Sequence, residues 1–403
     1  LRLVQGDVGS GKTIVAAFAA IRAIEHGCQT AVMAPTELLA EQHQLNFQQW
    51  LEPLGIQVAL LTGQMTAKSQ HETLQRIASG EVQVIIGTHA LFQDKVIFHK
   101  LALAIIDEQH RFGVHQRMAL QHKGAYPHQL VMTATPIPRT LTMTLYADMD
   151  VSVIDELPKG RQPITTHTAA QPKRPELIER LRKILAQGQQ AYWVCTLIEP
   201  NEEIEALSAE EAFDLLRQEL PEFRVALLHG RMKGDEKVEV MRAFKAGEYK
   251  LLVATTVVEV GVDVPNATQM FIENAERLGL AQLHQLRGRV GRGSKASRCF
   301  LLFKPGVSQA GQHRLNALRQ SQDGFYLAEQ DLKLRGPGDI LGTRQSGEQS
   351  FKIADLSEHA HLMPRVVQRC ETMMNAAPAS DDGNYLTGLL NTWAAADNAH
   401  LSV

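Results

Sequence analysis

Cysteine is scarce in this 403-residue chain, with only Cys28, Cys195, Cys299 and Cys370. They lie far apart and form no C-x-x-C pair, which argues against a disulfide framework or a zinc ribbon and suits a reducing compartment. Aromatic residues make up 5% of the sequence, so stacked bases are not the expected way of holding a nucleic acid. No apolar run approaches the ~18–20 residues of a membrane span, and no signal peptide opens the chain. Neither charge sign dominates, with 41 Lys and Arg against 44 Asp and Glu. A polyanionic partner would therefore have to be met by a local patch. The 16 histidines show no metal-binding spacing, and neither H-E-x-x-H nor G-x-S-x-G occurs. Zincin and nucleophile-elbow chemistry are thereby set aside.

What is present is the makeup of a globular protein, 44% hydrophobic and 21% charged. The length suggests about two to three domains. The chain starts at Leu1, five residues before a glycine-rich motif, and an upstream segment is expected to precede it. Apolar, β-rich runs at 1–5, 30–34, 58–62, 82–88, 101–107 and 130–135 alternate with helical patterns such as 12–26 and 37–50. Continuous rather than alternating apolar runs fit parallel strands buried on both faces. The expected fold class is α/β, with a parallel sheet over residues 1–150. Residues 151–162 (VSVIDELPKGRQ), with Pro158 and Gly160, read as a linker. A second parallel α/β domain is expected over 163–305, with strands at 164–168, 191–198, 225–228, 250–255, 269–274 and 299–303. Residues 306–403 read as a mainly helical extension. The segment 201–222 holds eight acidic residues against one Arg, a solvated acidic helix. No internal sequence repeat is evident.

Residues Gly6-Asp7-Val8-Gly9-Ser10-Gly11-Lys12-Thr13 fit G-x-x-x-x-G-K-[ST] between a strand and a helix. The glycines let the backbone curl so that successive N–H groups face a phosphate. The helix N-terminus adds partial positive charge. Lys12 would reach the β- and γ-phosphates of ATP, and Thr13 would offer a hydroxyl to Mg²⁺. The apolar run 103–106 ends in Asp107 and Glu108, at the sheet edge where nucleotides bind. Asp107 is the expected outer partner of Mg²⁺, and Glu108 the group that orients or deprotonates the attacking water. In the second domain, Gln285-Leu286-Arg287-Gly288-Arg289-Val290-Gly291-Arg292 is dense in Arg and Gly. Guanidinium on a separate domain reaches the γ-phosphate only when the cleft shuts. Residues 273–352 carry 13 basic against seven acidic residues, a candidate phosphate-tracking patch directed at duplex backbone.

These residues, with APTELLAEQ (34–42), GTHAL (87–91), DEQH (107–110), TATPIPRT (133–140), LHGRM (228–232) and ATTVVEVGVDVP (254–265), stand in the order of superfamily-two helicases. DEQHRFGVHQR (107–117) and DLKLRGPGDILGTRQSG (331–347) are similar to the RecG family of bacterial branch-migration helicases. The second stretch is shared with transcription-repair coupling factors. Gln109 and Ser10 favour the former family. The resemblance implies two tandem RecA-like domains plus a helical C-terminal extension carrying a translocation element. It implies Mg²⁺-dependent ATP hydrolysis that drives fork regression and branch migration of Holliday junctions, in DNA repair and recombination.

Residue by residue, Gln285 matches a nucleotide-contacting position, and Arg289 and Arg292 match the arginine fingers. Gln109, His110, Thr133 and Thr135 match positions that couple hydrolysis to movement. His229, Arg231 and Thr255 match the nucleic-acid track or cleft, and Arg314, Arg335 and Gln345 the translocation hairpin and loop. The implied partners are branched double-stranded DNA and a single-strand-binding protein, with no membrane. A monomer in the bacterial cytoplasm, associated with the nucleoid, is expected. The family's N-terminal wedge domain is not in the sequence, which leaves junction preference open. A coupling-factor motor and a nucleotide- and DNA-binding module without turnover are the competing readings.

Overall fold

The computed structural model describes residues 1–108, 123, 126–134, 149–156, 162–196, 202–259, 264–293, 295–335, 359, 362–374 and 388. Residues 1–137 and 148–334 form one compact unit, and 138–147 with 335–403 form another.

The first unit holds two all-parallel sheets. The first sheet comprises β1 (Arg2–Gly6), β2 (Gln29–Met33), β3 (Val58–Leu61), β4 (Val84–Gly87), β5 (Leu101–Asp107), β6 (His128–Thr133) and β7 (Asp150–Ile154). Its order is β3-β4-β2-β5-β6-β1-β7. Helices α1 (Lys12–Glu25), α2 (Glu37–Leu51) and α3 (Ala67–Ala78) supply crossovers. The pleat divides the strand side chains between two cores. Val32, Ile86 and Ile105 pack with Ala16, Ala20 and Phe47 of α1 and α2, whereas Ala31, Met33, Ile85 and Ile106 pack with Ile77 of α3. Burial on both faces explains why these strands read as unbroken apolar runs.

One boundary differs from the sequence reading. The segment 151–162, read as a linker, opens with β7, which pairs in parallel with β1 from Arg2↔Asp150 to Gly6↔Ile154. An edge strand has one neighbour and a solvent-facing side. Its VSVI therefore lacks the long apolar run by which the inner strands announce themselves. The remainder of that segment, 157–161, lies outside the described residues.

The second sheet comprises β8 (Thr165–Ala170), β9 (Gln190–Val194), β10 (Val225–Leu228), β11 (Leu251–Ala254), β12 (Ala267–Ile272) and β13 (Arg298–Phe303), in the order β10-β11-β9-β12-β13-β8. This is the first sheet's order without its edge strand. Helices α4 (Arg174–Ala186), α5 (Glu202–Glu219), α6 (Gly234–Lys245) and α7 (Leu280–Arg287) accompany it. The acidic helix α5 is only half solvated. Ala209, Ala212 and Leu216 enter the core, while Glu211, Asp214 and Glu219 face water. Helices α8 (Gln309–Gln320) and α9 (Gly324–Arg335) follow, and their Leu315, Leu318 and Leu327 join the second sheet's core. In the other unit, α10 (Met363–Met374) is described, with Met373 buried. Among the described residues no helix is long and apolar enough to cross a membrane.

Both sheets solve one local problem alike. Gln29, at the start of β2, donates to the carbonyls of Ile77 and Val82 and accepts from the amides of His99 and Lys100. Gln190, at the start of β9, donates to the carbonyls of Phe244 and Tyr249. Each side-chain amide thus satisfies backbone groups where a helix returns to the sheet. Gln29→Ala leaves four such groups without this partner. It is expected to cost about 3 kcal/mol or more of stability, read as a lowered denaturant midpoint. A cost below ~1 kcal/mol would show that water replaces the amide without penalty.

Candidate nucleotide site between two lobes

The loop after β1 is set by two left-handed glycines, Gly9 (φ 75°) and Gly11 (φ 96°), a conformation that side chains with a Cβ resist. Gly11 is also the N-cap of α1. Helices α2 and α3 are capped by the hydroxyls of Thr36 and Thr66, which accept from Leu39 and Ser69 N–H. By contrast, α1 has no side-chain cap and no acidic residue in its first turn. First-turn N–H groups left without a side-chain acceptor form the arrangement that receives an anion. Lys12 is buried and donates to the carbonyls of Gly6 and Asp7, both at 2.8 Å. Burial pulls its pKa below the usual lysine value, against the opposing charges of Asp107, Glu108 and Asp7. Thr13 follows it, half-buried.

The C-terminal end of β5 brings the two acids to the same edge. Burial pushes the Asp107 carboxyl up, but the hydrogen bond and charge of His43 and the charge of Lys12 outweigh it. The net pKa lies below the ordinary aspartate value. His43 Nε2 sits 2.8 Å from Asp107 Oδ2. Glu108 differs. Burial, and then the charge of Asp107, raise its pKa to about 7. Its backbone is left-handed at φ 53°, a strained setting for a residue with a Cβ and one typical of functional positions. Its Oε2 accepts from Ala134 N–H at 3.5 Å, just past the end of β6. Thr133, the last residue of β6, is buried beside it in sequence.

The second lobe closes on this edge through α7 and the turn after it. A Cβ on Gly288 would lie 2.8 Å from Val8 Cβ and 2.9 Å from one of its methyls, so the arginine-rich segment rests directly on the phosphate-loop side chain. Arg289 is buried, and its charge acts on Glu108. Arg292 donates to Gly288 O at 3.1 Å, and its charge acts on Lys12. Gln285 is buried on α7.

Gly288→Ala is expected to wedge the lobes apart, because Val8 is β-branched, stiff and buried. A loss of about 1–3 kcal/mol in stability and of the order of 10²-fold in turnover should follow. Adding Val8→Ala should recover much of both, measured by thermal melting and steady-state hydrolysis. A single Gly288→Ala variant with parental turnover would show that the contact is slack.

Other residues singled out in the sequence are placed as follows. Thr255 is buried, with its N–H donating to Leu228 O at 3.1 Å. His229 Nε2 lies 3.7 Å from Glu210 Oε1, and Arg231 is exposed nearby in sequence. Arg314, on α8, donates to Leu278 O at 3.0 Å, which ties that helix to the second lobe. Gln109, His110, Thr135 and Gln345 lie outside the described residues, as does the side chain of Arg335.

Three residues escaped the sequence reading. His43 stands on α2 in a stripe with Ala40, Phe47 and Leu51, and a titratable side chain in an apolar stripe was its one signal. Arg287, which read as one more arginine of a basic run, is 2% exposed. It donates to the carbonyls of Leu318 and Ser321 at 2.7 and 2.8 Å. His284 bridges Arg287 and Asp7.

Comparison with known proteins places this geometry. The DEAD/DEAH box helicase family matches residues 2–144, and the helicase conserved C-terminal domain matches residues 176–294. Residues 321–388 match the C-terminal part of domain 3 of the ATP-dependent DNA helicase RecG. Over nearly its whole length the chain is similar to RecG helicases. It is 61% identical to the ATP-dependent DNA helicase RecG of Escherichia coli O157:H7 over 91% of this chain and 54% of that protein. It is 58% identical to the RecG helicase of Pasteurella multocida over 98% of this chain and 57% of the relative. The chain thus spans about half the length of the curated RecG relatives it matches. A solved structure of RecG bound to a three-way DNA junction superposes with a TM-score of 0.74 at 44% identity, covering 90% of this chain and 47% of that one. The yeast Dbp5 variant solved with RNA and ADP–BeF3 shares the fold alone, at 14% identity and a TM-score of 0.56 over 91% of this chain and 88% of that one.

Proposed function

We propose that this chain is the ATP-driven motor region of a RecG-type DNA helicase, moving along duplex DNA to regress forks and migrate Holliday junctions. The observation that carries the reading is the seam itself. A glycine loop with Lys12 and a carboxylate tuned to about 7 lie on one lobe, and Arg289 and Arg292 act on them electrostatically from the other. Such a seam has its full set of charges only when the lobes meet, so hydrolysis and lobe motion are one event. The RecG structure with a three-way junction supports branched DNA as the substrate class.

In this reading Lys12 and the loop amides hold the triphosphate. Glu108 aligns and deprotonates the attacking water, and Arg289 and Arg292 neutralise charge on the transferring phosphoryl group. Mg²⁺ fits the residues available. Thr13 brings a hydroxyl and Asp107 a carboxylate with a lowered pKa, which are hard oxygen donors. Among the described residues no cluster of three acids, histidines or cysteines could cage a metal alone. When bound, Mg²⁺ would neutralise phosphate charge, with Thr13 and Asp107 as its protein partners.

The test is steady-state ATP hydrolysis by this chain with linear duplex, forked and three-way junction DNA, set against the same chain joined to a RecG N-terminal region. Stimulation by duplex, and stronger stimulation by branched DNA in the joined protein, is expected. Stimulation by RNA but not DNA, or nucleotide binding without turnover in either protein, would overturn the reading.

A further inference from the structure

His284 joins the phosphate loop to a chain of buried polar groups that leaves the first lobe. Its Nε2 lies 2.5 Å from Asp7 Oδ1, and its Nδ1 lies 2.8 Å from Arg287 Nη2. A guanidinium has donors only. Nδ1 must therefore accept, and the ring carries its proton on Nε2 and donates it to the Asp7 carboxylate. Arg287 in turn donates to the carbonyls of Leu318 and Ser321, where α8 ends. Asp7 accepts from Val8 N–H as well, so its carboxylate is fixed to the loop that would curl around phosphate. At the other end of α7, Leu280 N–H donates to Asp331 on α9. The relay lines a cavity of about 160 Å³ bounded by Asp7, Gln162, Ile164, Gly288 and Gln322.

We propose that His284 is a positioning residue that reports the state of the phosphate loop to the α8–α9 hairpin, through Asp7, the imidazole and Arg287. This rests on the motor reading but asks less of it, since only nucleotide binding is needed. The imidazole suits the task because it donates at one end and accepts at the other in one rigid plane. Neither amide side chain reproduces both ends. Gln reaches Asp7 and forgoes Arg287, while Asn accepts from Arg287 and falls short of Asp7.

The experiment is backbone hydrogen exchange of residues 315–330 with and without ADP, on the parent, His284→Gln and His284→Asn. Binding of a fluorescent ADP and thermal melting would be measured on the same samples. In the parent, ADP is expected to change exchange at the end of α8 at least threefold. In both variants that response should be lost, while ADP affinity stays within about threefold and the fold still melts cooperatively. A response that persists in both variants, or is absent from the parent while ADP binds, overturns the relay. Loss of ADP binding in both variants also overturns it, making His284 a support for the loop alone. A parent that shows the response yet never remodels forked DNA would sink the motor reading and leave this one standing.

Discussion

Glu108→Gln is expected to bind ATP as the parent does and to turn it over about 10²–10⁴-fold more slowly. The amide keeps the size and left-handed backbone of the glutamate but cannot take a proton from water. Nucleotide affinity should hold because Lys12, the loop amides and Asp107 are untouched. The same substitution should stabilise the nucleotide-free protein. Burial and the neighbouring Asp107 charge raise the Glu108 pKa to about 7, whereas an unfolded chain ionises it near the ordinary glutamate value. The folded state therefore holds a proton that the unfolded state has released, and parental stability falls as pH rises through that window. The amide has nothing to ionise. Its melting temperature should match the parent near pH 4 and exceed it by roughly 5 °C at pH 8, in chelator. Parental turnover in this variant would assign the base elsewhere. A melting advantage that shrinks with rising pH would contradict the electrostatics.

Arg289→Ala should lower turnover by about 10³-fold or more with little change in ATP affinity. Arg289 acts on Glu108 across the seam, so in the proposed role its charge would meet phosphoryl charge as it grows during the reaction. An interaction made chiefly in the transition state shows in kcat rather than in binding. Arg289→Lys should not rescue, because an ammonium cannot bridge two oxygens as a planar guanidinium does. Single-turnover rates on DNA-bound protein separate this from slow product release. A variant that hydrolyses normally but binds ATP poorly would recast Arg289 as a ground-state contact.

How much of this was legible in the sequence depends on distance along the chain. The inner strands and the phosphate loop were readable because their signals are local. Parallel strands buried on both faces write unbroken apolar runs, and the loop's glycines, Lys12 and Thr13 span eight consecutive residues. The edge strand β7 was missed because one exposed side dilutes its pattern. The links made by His43, 64 residues from Asp107, and by His284, 277 residues from Asp7, exist only after folding. Arg287 shows the opposite failure. Its neighbours made it look like a phosphate binder, and only its burial against two carbonyls reveals a strut.

The two sheets share one strand order and one glutamine device, yet only β1 runs into a glycine loop. Its counterpart β8 leads instead into Gln171–Lys173 and then Pro175 at the start of α4. A chain with two such loops could fire its halves in turn; among the described residues this one has a single such loop. In the proposed motor the halves would then have unequal parts that do not trade places between strokes. In that proposed motor, net motion would take its sense from the built-in inequality, with the cradle on one bank and the trigger on the other.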